Sequence, residues 1–166
     1  MLHDPKRRLR RRPSESAAPE FTLQAESLLK IVDELPPLFV LYGKEHAKSP
    51  IDPNWSALLP MAANGVLRTF TARYGGALVG FAFSVVGPHL MHASTPHGIT
   101  NAIWLSPAYR QGLNGYRFLK GNRDYLLQIG CKRLYIGFDI EHQRQAVLYK
   151  RLGYKLEEMS FSYDHS

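Results

Sequence analysis

The sequence predicts a mixed α+β domain, a twisted and mostly antiparallel sheet carrying helices on both faces. Three observations lead there. Apolar residues recur at helical spacing up to residue 65, β-rich runs flank the pair Gly75-Gly76, and strand-like and helix-like segments alternate after it.

Taken in order, "FTLQAESLLKIVDEL" sets Leu28, Leu29, Ile31, Val32 and Leu35 on one side of a helix that Pro36 and Pro37 end. A second helix, "PPLFVLYGKEHAKS", starts at that pair, because proline suits a first turn. "DPNWSALLPMAANG" reads as a short third helix closed by Gly65. "VLRTFTARY" and "ALVGFAFSVVG" read as a hairpin turning on Gly75-Gly76. "GITNAIWLSP" is a strand stopped by Pro107. "YRQGLNGYRFLKGNRDYLLQIG" is helical, with Tyr116, Leu119, Arg123, Leu126 and Leu127 at steps of three and four. "CKRLYIGFDI" is a short strand, "EHQRQAVLYKRLG" a helix with Gly153 at its end, and "YKLEEMSFSYD" a closing strand. That last strand offers an apolar edge for pairing across a homodimer.

The 166 residues are enough for one domain with a sizeable core, and 45 % of them are apolar. No apolar run reaches the roughly 18–20 residues of a membrane span, and no secretory signal is read at the N-terminus. One cysteine, Cys131, excludes an intrachain disulfide and fits a reducing cytoplasm. The net charge is +7 and uneven. Residues 1–20 hold six basic side chains (Lys6, Arg7, Arg8, Arg10, Arg11, Arg12) against Asp4, Glu15 and Glu20. This stretch reads as a disordered or loosely docked arm, and residues 21–166 as the single domain. The arm suits phosphates of nucleic acid or an acidic protein face, or it is a solvated tail. No aromatic lies among its arginines, so the stacking signature of a single-strand binder is missing.

Chemistry concentrates at "SPAYRQGLNGYRFLK", a passage from strand through turn to helix. A helix start exposes unpaired N–H groups and a positive dipole end, which attract phosphate. Gly112 and Gly115 permit close approach, and Arg110 is a bidentate phosphate donor. The histidines of "GPHLMHASTPHG" do not make a zinc pattern: His89, His92 and His97 are spaced by three and five, without cysteine support. On one strand His89 and His92 would face opposite sides.

"HQRQAVLYKRLGYK", His142 to Lys155, resembles the closing helix of the GNAT superfamily of acetyl-CoA-dependent N-acetyltransferases, where an Asn, an Ala three residues on and then "LYEKLGF" recur. His142 falls at the Asn position, Gln145 at the Ala and Tyr149 at the Tyr. The turn resembles the family's R/Q-x-x-G-x-G/A signature, with Arg110 first and Gly115 last. Leu113 stands where the middle glycine belongs, and Gly112 lies one residue early. The resemblance spans roughly residues 66–163 in element order, and the whole chain is most similar to compact GNAT-like proteins encoded by bacteriophages.

The resemblance implies a mixed sheet whose central parallel strands, around Ala102–Leu105 and Leu134–Phe138, splay to take the pantetheine arm of acetyl-CoA. It implies cofactor contacts from Trp104, Leu105, Arg110, Gln111, Gly112, Leu113, Asn114, Gly115, Tyr116 and His142, with the pyrophosphate on the turn's amides and no metal. A backbone N–H of the first strand would polarise the thioester, a primary amine would attack directly, and Tyr149 would protonate the departing thiolate. The strand before the turn lacks the carboxylate that many members use as base, leaving His92, His97, Asp139, Glu141 and His142 as candidates. The acceptor is a protein lysine, an N-terminus or a small amine. The alternative is an inactive GNAT-fold phage protein that binds and modulates a host protein or nucleic-acid-associated target in the host cytoplasm.

Overall fold

A computed structural model describes residues 18–46, 50–138 and 143–158. The described residues form a five-stranded sheet in the order β1-β2-β3-β4-β5: Phe21–Glu26, Leu67–Tyr74, Ala77–His89, His92–Leu105 and Arg133–Ile136. Neighbouring strands run antiparallel except β4 and β5, which are parallel.

The first segment differs from expectation. Residues Phe21–Glu26 are a strand on the edge of β2, not the start of a helix. "FTLQAE" alternates apolar and polar residues with a period of two, and Ser27 then caps a separate helix by accepting a hydrogen bond from the Leu29 N–H. That helix, α1 (Leu28–Ile31), passes through one tight turn into α2 (Leu35–His46). Pro36 and Pro37 sit in the first turn of α2, where their missing N–H groups cost nothing. Leu28, Ile31 and Leu35 are fully buried, while Leu29 faces solvent. α3 (Trp55–Ala63) follows, and the β2–β3 hairpin turns on Gly75 (φ 56°) and Gly76 (φ 88°), the left-handed pair that matches strand twist.

Two cores sandwich the sheet. On one face Leu28, Ile31, Leu35, Leu38 and Phe39 pack on Phe81, Phe83 and Trp104. On the other, Phe118 of α4 (Asn114–Gln128) packs with Phe70, Ala72, Val79, Ala82 and Leu105. β4 is longer than the sequence suggests, because it begins at His92 in a tight turn from β3. His89 pairs directly with His92 across that turn, so their rings stack at 5.2 Å rather than facing opposite sides.

Two irregularities in β4 prepare the site. Phe83 pairs with Ala102 and Ser84 with Thr100, leaving Asn101 as a bulged extra residue. The parallel ladder with β5 starts at His97↔Arg133 and stops at Thr100↔Ile136. Beyond it β4 continues to Leu105 paired, among the described residues, with β3 alone, so the two strands part where the bulge occurs. β5 is correspondingly shorter than the expected strand to Phe138.

Below the bulge, Thr100 Oγ1 lies 3.0 Å from Ser84 Oγ and accepts from Asn122 Nδ2 at 3.1 Å, all three residues buried. Asn122→Ala removes the tie from α4 and should lower stability by about 1–3 kcal/mol, the usual cost of breaking a buried polar pair. A urea-denaturation midpoint matching the parent's would contradict this. α5 (Gln143–Arg151) completes the described elements; residues 154–158 form no strand, and the rest of the expected closing strand lies outside the described residues. Residues 1–17 of the arm, with Asp139, Glu141 and His142, also lie outside them. Among the described residues no helix is long and apolar enough to cross a membrane.

Candidate active site

The turn after β4 and the first turn of α4 form one wall of a groove of about 390 Å³. Arg110, Gly112, Leu113, Gly115 and Tyr116 line it, opposed by Leu148 and Arg151 of α5. Pro107–Tyr109 make a single tight turn, and Asn114 Nδ2 donates to the Tyr109 carbonyl, fixing the approach to α4. Asn114 N–H closes onto the Gln111 carbonyl. The amides of Gln111, Gly112, Leu113, Gly115 and Tyr116 find no acceptor among the described residues. Four of these residues, Gly112, Leu113, Gly115 and Tyr116, line the groove at a helix N-terminus, the arrangement that binds an anion.

The displaced glycine is resolved by backbone geometry. Gly112 takes φ 59°, a left-handed value, whereas Leu113 has φ −99° and needs no glycine. The bend has moved one residue early, and the Leu113 side chain is 69 % exposed at the rim. A Cβ built at Gly112 or Gly115 would meet no atom within 4 Å, so both face open space. The cradle therefore fits a pyrophosphate.

Tyr149 sits on α5 between Leu148 and Arg151, which line the groove, but does not itself line it. It is 5 % exposed, packs edge-on against Phe138, and its hydroxyl donates to the Gly137 carbonyl at 3.3 Å. Gly137 immediately follows the last paired residue of β5, so the phenol stands where β4 and β5 part. Burial, then the neighbouring Tyr154, pushes its pKa up to about 12, which keeps the proton on the oxygen at neutral pH. Arg123 of α4 donates to the Leu152 carbonyl at 2.7 Å and so anchors the end of α5 that carries Tyr149 and Arg151.

A family model for the acetyltransferase (GNAT) family matches residues 29–154. The chain belongs to the GNAT acetyltransferase family. Solved structures with the same fold include a ribosomal-protein-alanine N-acetyltransferase from Brucella melitensis biovar Abortus 2308 (TM-score 0.66, 14 % identity, 87 % of this chain and 99 % of that one). An aminoglycoside acetyltransferase from an uncultured soil metagenomic sample is similar (TM-score 0.68, 14 % identity, 91 % and 97 % covered). So is the aminoglycoside N-acetyltransferase AAC(6')-Iy in complex with CoA (TM-score 0.68, 15 % identity, 91 % and 98 % covered). At such identities the likeness establishes the fold. No curated protein matches this GNAT sequence.

The remaining expected residues divide by where their side chains go. The Trp104 ring is 3 % exposed and packs against Phe81, and Leu105 is buried on the α4 side, so neither side chain lines the groove. Arg110 lines it, but its guanidinium is already bonded to Glu45. His97 is buried and stands four residues before Asn101, about 13 Å of strand, and it does not line the groove. Although His89, His92 and His97 cluster, no group of three ligating side chains among the described residues is disposed to hold a metal. Arg151 and Leu148 were not singled out in the sequence; their spacing of three on a helix is the signal that joins them. The bonds of Glu45 to Arg110 and of Arg123 to Leu152 carry no local signal, because they span 65 and 29 residues.

Proposed function

We propose that this chain transfers an acetyl group from acetyl-CoA to a primary amine of a protein or a small molecule. The observation that carries the reading is the run of unpaired amides around Gly112, in a turn that lines the groove together with Arg151. In this reading the amides of Gln111, Gly112, Leu113, Gly115 and Tyr116 hold the pyrophosphate, and Arg151 adds a charged donor that has no ion-pair partner among the described residues. The edge of β4 from Asn101 to Leu105, which pairs with no strand on the β5 side among the described residues, offers backbone groups to the pantetheine arm. Bound acetyl-CoA supplies an activated acetyl thioester. Tyr149 gives its phenolic proton to the departing sulfur and recovers one from solvent as the amine loses its own. Alignment and carbonyl polarisation account for most of the rate gain. That two of the similar structures are named for aminoglycosides and one for a ribosomal-protein alanine supports amines of either size as acceptors.

Calorimetric titration tests the reading. Acetyl-CoA should bind with Kd on the order of micromolar, and Arg151→Ala should weaken it about tenfold, the equivalent of one charge-assisted hydrogen bond. No heat at large excess of acetyl-CoA would overturn it. That result would favour the second reading, a GNAT-fold protein that binds a host macromolecule without turnover, to which the absence of any carboxylate on β4 also points.

A further inference from the structure

The phosphate turn is tied to a helix on the opposite face of the sheet. Glu45, in the last turn of α2, accepts from Arg110 twice, Nη1 to Oε1 at 2.5 Å and Nη2 to Oε2 at 2.6 Å. The same Oε2 accepts from Trp104 Nε1 at 2.8 Å. Arg110 Nε donates to the Leu105 carbonyl at 2.7 Å, and the guanidinium lies 5.9 Å from the centre of the Trp104 ring. One carboxylate thus locks the end of β4, the indole beneath it and the first cation of the turn into a single unit.

Arg110 is at the same time a wall of the groove. A guanidinium has five N–H groups in a rigid fork. Three are spent on Leu105 and Glu45, and two remain. A long side chain left to rotate would have to be ordered when an anion binds; one already clamped would not. Glu45 is itself a strong clamp: the bonds from Arg110, set against partial burial and helped by Trp104, bring its carboxyl pKa down to about 2.

We propose that Glu45 is a positioning residue for the phosphates of acetyl-CoA, acting through Arg110, which it holds at the groove wall with two N–H groups uncommitted. This rests on the acetyltransferase reading above. Nothing in the spacing of the turn motif discloses it, since Glu45 lies outside that motif on a different element.

The test is a double-mutant cycle on the full chain, read as KM for acetyl-CoA, kcat, and CoA affinity by calorimetry. Glu45→Ala should raise KM and the CoA Kd about five- to tenfold while kcat changes less than twofold. Glu45→Gln, which keeps an acceptor for the fork, should recover most of that loss. In an Arg110→Ala background, Glu45→Ala should add no further loss. A merely structural Glu45 would instead lower the melting temperature in both backgrounds and penalise binding equally in each, and that outcome overturns the proposal. Unchanged CoA affinity in Glu45→Ala overturns it alone, leaving the acetyltransferase reading standing. A parent chain that binds no CoA overturns both.

Discussion

Replacing Tyr149 by Phe is expected to lower kcat about 100-fold or more, the usual loss on removing a positioned general acid, while KM for acetyl-CoA stays within about twofold. The substitution deletes one oxygen and keeps the ring that packs on Phe138 and Tyr154. The hydroxyl's only described partner is the Gly137 carbonyl, so the accompanying loss of stability should be about 1 kcal/mol. The sign of the pH effect follows from burial. A phenol raised to about 12 remains protonated through the neutral and mildly alkaline range. The parent enzyme should therefore show no alkaline fall in kcat from this group below about pH 11, where the fraction still protonated is about nine-tenths. Steady-state kinetics across pH checks both parts, and a Tyr149→Phe variant turning over at the parent rate would remove the phenol from the reaction.

The second large effect concerns the scaffold. Phe81 is wholly buried in the middle of β3 and meets the rings of Phe39, Tyr42, Phe83 and Trp104 at centroid distances of 5.3, 5.7, 5.0 and 6.1 Å. Its neighbours come from a helix and two strands, so they cannot all collapse into the space a truncation leaves. Phe81→Ala should cost about 3–5 kcal/mol. At about 2–4 °C per kcal/mol for a domain of this size, the melting temperature should fall by roughly 6–20 °C. Scanning calorimetry on the variant decides it. A fall under about 2 °C would mean that the aromatic cluster is not a cooperative part of the core.

Tyr149 and the turn from Arg110 to Gly115 could be read in the sequence because their signals are local, a helix repeat and a helix start. The hairpin at Gly75-Gly76 was legible for the same reason, since a left-handed pair leaves a nearly unambiguous residue signature. The edge strand Phe21–Glu26 was not, because six alternating residues directly before a helical stripe fit both periods until Arg73 and β2 supply the partner. The rotation of the Trp104 ring away from the groove was hidden too. It depends on a bulge that no residue type announces. The clamp between Glu45 and Arg110 joins positions separated by a helix and three strands, a distance over which periodicity carries no information.

The bulge at Asn101 also fixes a parity. Ile99 lies opposite Val85 and Trp104 opposite Phe81, all on the face of α1 to α3, although Ile99 and Trp104 are five residues apart on a strand that alternates every two. Without the one unpaired residue between them, the indole would emerge among the side chains of α4 and Leu105 would take its place beneath α2. Glu45 would then have no ring N–H to hold. The strand thus counts to an odd number so that the end of its sheet-facing core and the start of its anion-binding turn arrive on the correct sides together.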